Sequence, residues 1–238
     1  MKTFTEIISS VMGKFIFCKR FHFCFYIPIA CILMGIVDAV IQPGYILKSA
    51  IKLVLFLAVP ILHSCFVNKE MKLRTLFTVR KGGLLTALVT GILVYAVVLG
   101  AYFIFRGVFD FSSLTGSLTS TTGVNKNNFI FVAIYISFVN SLVEEFFFRG
   151  IGFLKLKEHT SRNFALMFSS LFFALYHIAM MIGWFGAGVI VLSVIGLVVG
   201  GIIFCCFNEK FDNLYLSWLI HMCANFATNT IGFILFSA

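Results

Sequence analysis

The chain reads as an all-α integral membrane protein, a polytopic helical bundle of about seven transmembrane helices (six to eight), and three observations carry that reading. Hydrophobic residues make up 61% of its 238 positions and charged ones 11%, with a mean hydropathy of +1.05, values that exclude a water-soluble core. The apolar residues gather into seven stretches, each near the ~20 residues that a spanning helix needs. The basic residues stand where those stretches end, as juxtamembrane charges do, so the formal charge of +9 points to a lipid bilayer and not to nucleic acid.

The first stretch, Phe21–Ile41, is too long for a secretory signal and shows no small-residue cleavage site before the next span, so it is read as an anchor. Pro28 within it and Pro60 within the second stretch, Ile46–Val67, are expected to kink their helices, which membrane helices tolerate when neighbours satisfy the freed carbonyls. Asp38, near the outer end of the first span, is read as a snorkelling side chain. The third stretch, Gly82–Phe105, leads into Arg106–Asn128, whose run of serines, threonines and glycines from Ser112 to Gly123 is read as a flexible linker. The remaining stretches are Phe129–Leu154, Phe164–Ile182, Val189–Phe207 and Leu214–Phe236. With no internal repeat and no soluble stretch long enough to build its own core, residues 1–238 are read as one membrane domain.

Lys2, Lys14, Lys19 and Arg20 precede the first span, Lys69, Lys72, Arg74, Arg80 and Lys81 fill the second connection, and Lys155, Lys157 and Arg162 the fourth. These are alternate connections, so the positive-inside rule places the amino terminus in the cytoplasm of a multi-pass cell-membrane protein. Seven cysteines lie in or beside apolar runs without Cys-x-x-Cys or zinc spacing, and are read as reduced packing residues.

Glu144 and Glu145, in the run Asn140-Ser-Leu-Val-Glu-Glu-Phe-Phe-Phe-Arg-Gly150, are the least expected residues in such a chain. A carboxylate at the centre of a spanning helix is disfavoured by about 3 kcal/mol and needs a partner and a purpose. Centring each span on its apolar run puts Glu144, His177 and His221 within roughly 6 Å of one another along the membrane normal, at 1.5 Å per residue. Glu145 and Arg149 share a helix face at four-residue spacing, so Arg149 is expected to neutralise Glu145 through a bidentate pair. Glu144 points about 100° away and is expected to be free to face a cavity. Phe173 with His177, and His221 with Asn225, also share faces at that spacing. A free carboxylate, two imidazoles and an amide in a dry site suit amide hydrolysis: Glu takes a proton from water, His orients that water, and N–H donors stabilise the oxyanion.

At these residues the chain resembles the membrane-embedded CAAX prenyl protease 2-like and bacteriocin-processing endopeptidases, also called the CPBP or Abi family. Their pattern of Glu-Glu-x-x-x-Arg, Phe-x-x-x-His and His-x-x-x-Asn is met in order by Glu144-Glu145 with Arg149, Phe173 with His177, and His221 with Asn225. The resemblance covers Phe129 to Phe236 and implies a helical bundle with a catalytic cavity open to the cytosol. It also implies that Glu144 and His177 activate water and that His221 and Asn225 form the oxyanion site, with Glu145, Arg149 and Phe173 in structural support. The implied activity is an intramembrane glutamate-dependent endopeptidase acting on hydrophobic or membrane-anchored peptides, in bacteriocin or signal-peptide processing or in self-immunity. Abundant Phe, Ile, Lys and Asn go with an AT-rich bacterial genome, hence the plasma membrane of a bacterium.

Three other readings compete. Glu and two His can bind zinc, but the His-Glu-x-x-His helix of zinc proteases is absent, so no metal and no cofactor is expected. A proton-coupled transporter also uses membrane Glu and His, yet the inverted repeats of many carriers are not evident. A non-catalytic bacteriocin-immunity protein on the same fold differs only by assay. Outside the motifs, His22 and His63 are read as interhelical hydrogen-bonding residues and His159 as a solvated loop residue. Trp184 and Trp218 are read as interfacial anchors, and Phe146-Phe147-Phe148 as lipid or bundle packing.

Overall fold

The computed structural model describes residues 22–68, 71–109, 111, 113–182 and 185–237. The amino-terminal basic residues, Lys69, Trp184 and the side chain of His22 lie outside what is described. Among the described residues there is no strand, and seven helices are long and apolar enough to cross a membrane. They are α1 (Cys24–Ile41), α2 (Tyr45–Phe66), α3 (Leu84–Phe105), α5 (Phe129–Lys155), α6 (Arg162–Met181), α7 (Ala187–Phe211) and α8 (Leu214–Ser237). Between α3 and α5 lies the shorter α4 (Ser113–Thr122), and a 3-10 helix, Leu73–Phe77, follows α2.

Apolar side chains all round a helix require neighbours on every side, and α5 is the helix that has them. Its second half touches α1, α2, α6, α7 and α8, and every residue from Val143 to Phe153 is buried. The three consecutive phenylalanines point to three different partners: Phe147 stacks on Phe56 of α2 (centroids 4.0 Å), Phe146 on Phe77 of the 3-10 helix (5.6 Å), and Phe148 meets Phe173 of α6 edge-on (5.4 Å). None of the three faces lipid. Around this centre, α3 packs along α8 and α6 along α7. The latter pair runs close because Gly201 lacks a side chain where a Cβ would stand 3.0 Å from the Ser170 Cα.

Polar side chains join the helices where no water is at hand. Ser169 donates to the Phe148 carbonyl (2.8 Å), and Asn229 donates to the Ala133 carbonyl (3.2 Å) and to Ser137 Oγ (2.9 Å). Trp218 Nε1 donates to the Phe138 carbonyl (3.2 Å) and Ser141 Oγ (3.0 Å), so this residue, expected at the interface, ties α8 to α5. At one end of the bundle Arg80 pairs with Asp212 (2.8 Å), and Lys157 and Arg162 share Glu209 (3.2 and 2.6 Å). His159 is exposed at that end.

Two expectations are corrected. The Ser/Thr-rich run is not a linker but α4, which packs against α8; the hydroxyls of Thr119, Thr121 and Thr122 donate to the carbonyls four residues earlier (2.9, 2.7 and 2.7 Å). Asp38 does not snorkel; it is buried and ion-paired with Lys48 at 2.6 Å. Pro28 lies inside α1. Pro60 follows a π-helical turn, Val54–Ala58, which holds Phe56, the residue whose carbonyl the missing proline N–H would have bonded in an α-helix. Longer π-helical segments, Tyr135–Asn140 and Glu145–Lys155, run through α5 and flank Glu144, an irregularity found often at functional sites.

Candidate active site

Glu144, His177 and His221, on α5, α6 and α8, meet in the middle of the bundle. Glu144 is 1% exposed, and its two oxygens have different surroundings. Oε1 accepts hydrogen bonds from the Lys52 ammonium (3.0 Å) and from the Asn140 amide (2.9 Å). Oε2 faces the Nε2 atoms of His177 (3.9 Å) and His221 (3.7 Å), too far for direct hydrogen bonds. The expectation of an unpaired Glu144 is therefore wrong by one residue, since Lys52 of α2 neutralises it.

The far side of each imidazole is committed to an acceptor. His177 Nδ1 donates to the Phe173 carbonyl of its own helix (2.7 Å), and His221 Nδ1 donates to Glu145 Oε1 (2.9 Å). A carbonyl and a carboxylate can only accept, so Nδ1 carries the proton in both rings. Each ring then turns its Nε2 toward Glu144 Oε2.

Glu145 is completely buried and is the hub behind this site. Besides His221 it accepts from Ser217 Oγ (2.6 Å), which in turn accepts from the Asn208 amide (2.7 Å). Arg149 Nη1 stands 3.3 Å from Glu145 Oε1, but its guanidinium makes no hydrogen bond to any described side chain, so the expected bidentate pair does not form. The reason is competition for space and lone pairs. His221 and Ser217 take the carboxylate, while the guanidinium lies between the rings of Phe173 (3.9 Å) and Phe204 (4.8 Å). Those rings also wall the imidazoles: Phe173 is edge-on to His177 (4.6 Å) and His221 (5.7 Å), and Phe204 stacks on His221 (5.3 Å).

Asn225 stands one turn beyond His221 on α8, and its amide donates to the Ile136 carbonyl of α5 (3.1 Å). The structure thus brings Glu144, His177 and His221 together and holds Asn225 one turn away. Lys52 and Asn140 were missed by sequence reading. The signal for Lys52 was present, a cation inside the second apolar run, which deserves the same question as a carboxylate there.

The fold and this cluster define a polytopic membrane protein with a buried carboxylate–histidine site. Residues 126–227, from just before α5 into α8, match the family model described as type II CAAX prenyl endopeptidase Rce1-like, so over this segment the chain is similar to that family. No curated protein and no solved structure matches the chain.

Proposed function

We propose that the protein is a glutamate-dependent intramembrane endopeptidase that cleaves hydrophobic or membrane-anchored peptides. The observation that carries the reading is the division of labour at Glu144: one oxygen held by Lys52 and Asn140, the other turned toward two imidazole Nε2 atoms. Water between Glu144 Oε2 and His177 Nε2 gives a proton to Glu144 as its oxygen attacks the scissile carbonyl carbon. The carbonyl π pair moves to oxygen, and the tetrahedral oxyanion takes hydrogen bonds from His221 Nε2–H and from the second N–H of the Asn225 amide. Because His221 Nδ1–H is already given to Glu145, donation through Nε2 requires the imidazolium, which the Glu145 carboxylate stabilises as a buried carboxylate does behind a catalytic histidine. Collapse of the intermediate breaks the C–N bond, and the proton held by Glu144 passes to the leaving amine. The Lys52 ammonium supplies the positive charge beside the carboxylate, so no metal ion is required.

The family's printed name concerns prenylated carboxyl-terminal sequences, and peptides carrying a lipid or an apolar segment are the substrate class proposed here, including bacteriocin or signalling precursors. Burial of such a segment in the aromatic-rich bundle, at about 25 cal/mol per Å², holds the scissile bond beside the water. The amino terminus is placed in the cytoplasm and entry on the cytoplasmic leaflet. The test offers a membrane-anchored peptide and its soluble, charge-enriched counterpart to protein oriented in vesicles, one face at a time. Preferential cleavage of the anchored peptide from the cytoplasmic face is expected; equal cleavage of both, or cleavage only from the outer face, refutes the substrate class or the orientation.

A further inference from the structure

The amino-terminal helices contribute charges to the site although the family match begins only at residue 126. Lys48 and Lys52 lie four residues apart on one face of α2, 9% and 5% exposed, in a helix otherwise fit to span a membrane. Each ammonium has a carboxylate from a different helix: Lys48 is 2.6 Å from Asp38 of α1, and Lys52 is 3.0 Å from Glu144 of α5. The two pairs stand in series and sum to zero charge. Asp38 therefore relieves Lys48 of the need for a carboxylate, and Glu144 answers to Lys52.

Two of the three N–H bonds of Lys52 are committed. One goes to Asn140 Oδ1 (2.7 Å) and one to Glu144 Oε1 (3.0 Å), and the ammonium stands 5.0 Å from the centroid of the Tyr176 ring. Asn140 closes the clamp by donating its own amide to Glu144 Oε1. Both of these acceptors belong to the clamp on Glu144. The effect of Lys52 is on Glu144. With Oε1 gripped by two donors the carboxylate cannot rotate, and Oε2 is held toward His177 and His221.

We infer that Lys52 is a positioning residue of the site, supplied by the amino-terminal half of the chain, which keeps Glu144 ionised and aimed at the water it deprotonates. The inference rests on the peptidase reading above, and it makes α2 part of the catalytic unit and not only of the membrane anchor.

The test measures kcat and KM separately for wild type, Lys52→Met and Lys52→Arg on an internally quenched, membrane-anchored peptide in proteoliposomes. Lys52→Met is expected to lower kcat at least ~100-fold, the scale of a lost general base, with KM changed by less than about threefold. Lys52→Arg restores a cation and its donors and is expected to recover at least ~10-fold of that loss, which a merely space-filling role would not require. Thermal unfolding closes the cycle without activity. Lys52→Met lowers the midpoint by several degrees in the wild-type background and by much less beside Glu144→Gln, since contacting charges couple. A folded Lys52→Met protein with wild-type kcat, or additive midpoint shifts, overturns the inference. Absence of cleavage by the wild type on a panel of anchored peptides overturns the peptidase reading instead.

Discussion

Replacing Glu145 by Gln tests the hub behind the imidazoles, and its cost follows from what each neighbour does when the charge is removed. Arg149 is completely buried and, among the described residues, has one carboxylate within ion-pair distance, Glu145 at 3.3 Å. A guanidinium cannot shed its proton, so Glu145→Gln leaves a charge in the bundle with only the faces of Phe173 and Phe204 beside it. Breaking a buried pair from one side costs about 3–5 kcal/mol. At about 2–4 °C per kcal/mol for a chain of this size, the unfolding midpoint should fall by roughly 6–20 °C. The reverse substitution, Arg149→Met, is milder, because Glu145 keeps the hydrogen bonds of Ser217 and His221. The assay is thermal unfolding in detergent followed by a thiol-reactive fluorophore, for which the buried free thiols of Cys31 and Cys205 are reporters. An Arg149→Met protein as unstable as Glu145→Gln, or more so, would show that Arg149 and not Glu145 is the hub.

Two further outcomes follow. Gly201→Ala places a methyl 3.0 Å from the Ser170 backbone and should separate α6 from α7 at a cost of about 1–3 kcal/mol, read as a lower unfolding midpoint; an unchanged midpoint would mean that the two helices are not held as close as described. Turnover should survive prolonged chelation followed by buffer exchange; stoichiometric zinc in the purified protein, with activity lost on its removal and regained on its return, would require a metal mechanism.

Much of this architecture is legible in the residues because a bilayer leaves few options. Every backbone group must be satisfied within its own segment, so apolar runs of the right length become helices, and the seven runs lie where the seven spans do. The depth of Glu144, His177 and His221 was legible for the same reason, since a spanning helix maps position onto depth. What was not legible depends on the rotation and irregularity of helices, which hydropathy does not record. Arg149 does pair with Glu145 as its spacing indicates, but not through a bidentate fork, since the hydrogen bonds of the carboxylate are claimed by His221 and Ser217 from α8. Asp38 reads in the sequence as a snorkelling side chain, and only the packing of α1 against α2 shows it buried with Lys48. The helix α4 was hidden because Ser and Thr ordinarily favour turns, and its packing against α8 is not recorded in the local sequence. Lys52 was passed over because its partner is distant in sequence.

The most direct measurement is single-turnover cleavage of a membrane-anchored peptide by Glu144→Gln, compared with wild type at matched, verified folding. Gln keeps the size of the side chain and can still accept from Lys52, but it cannot take a proton from water. The account predicts a rate constant at least ~100-fold lower with binding of the peptide retained. A folded Glu144→Gln protein that cleaves at the wild-type rate would contradict it.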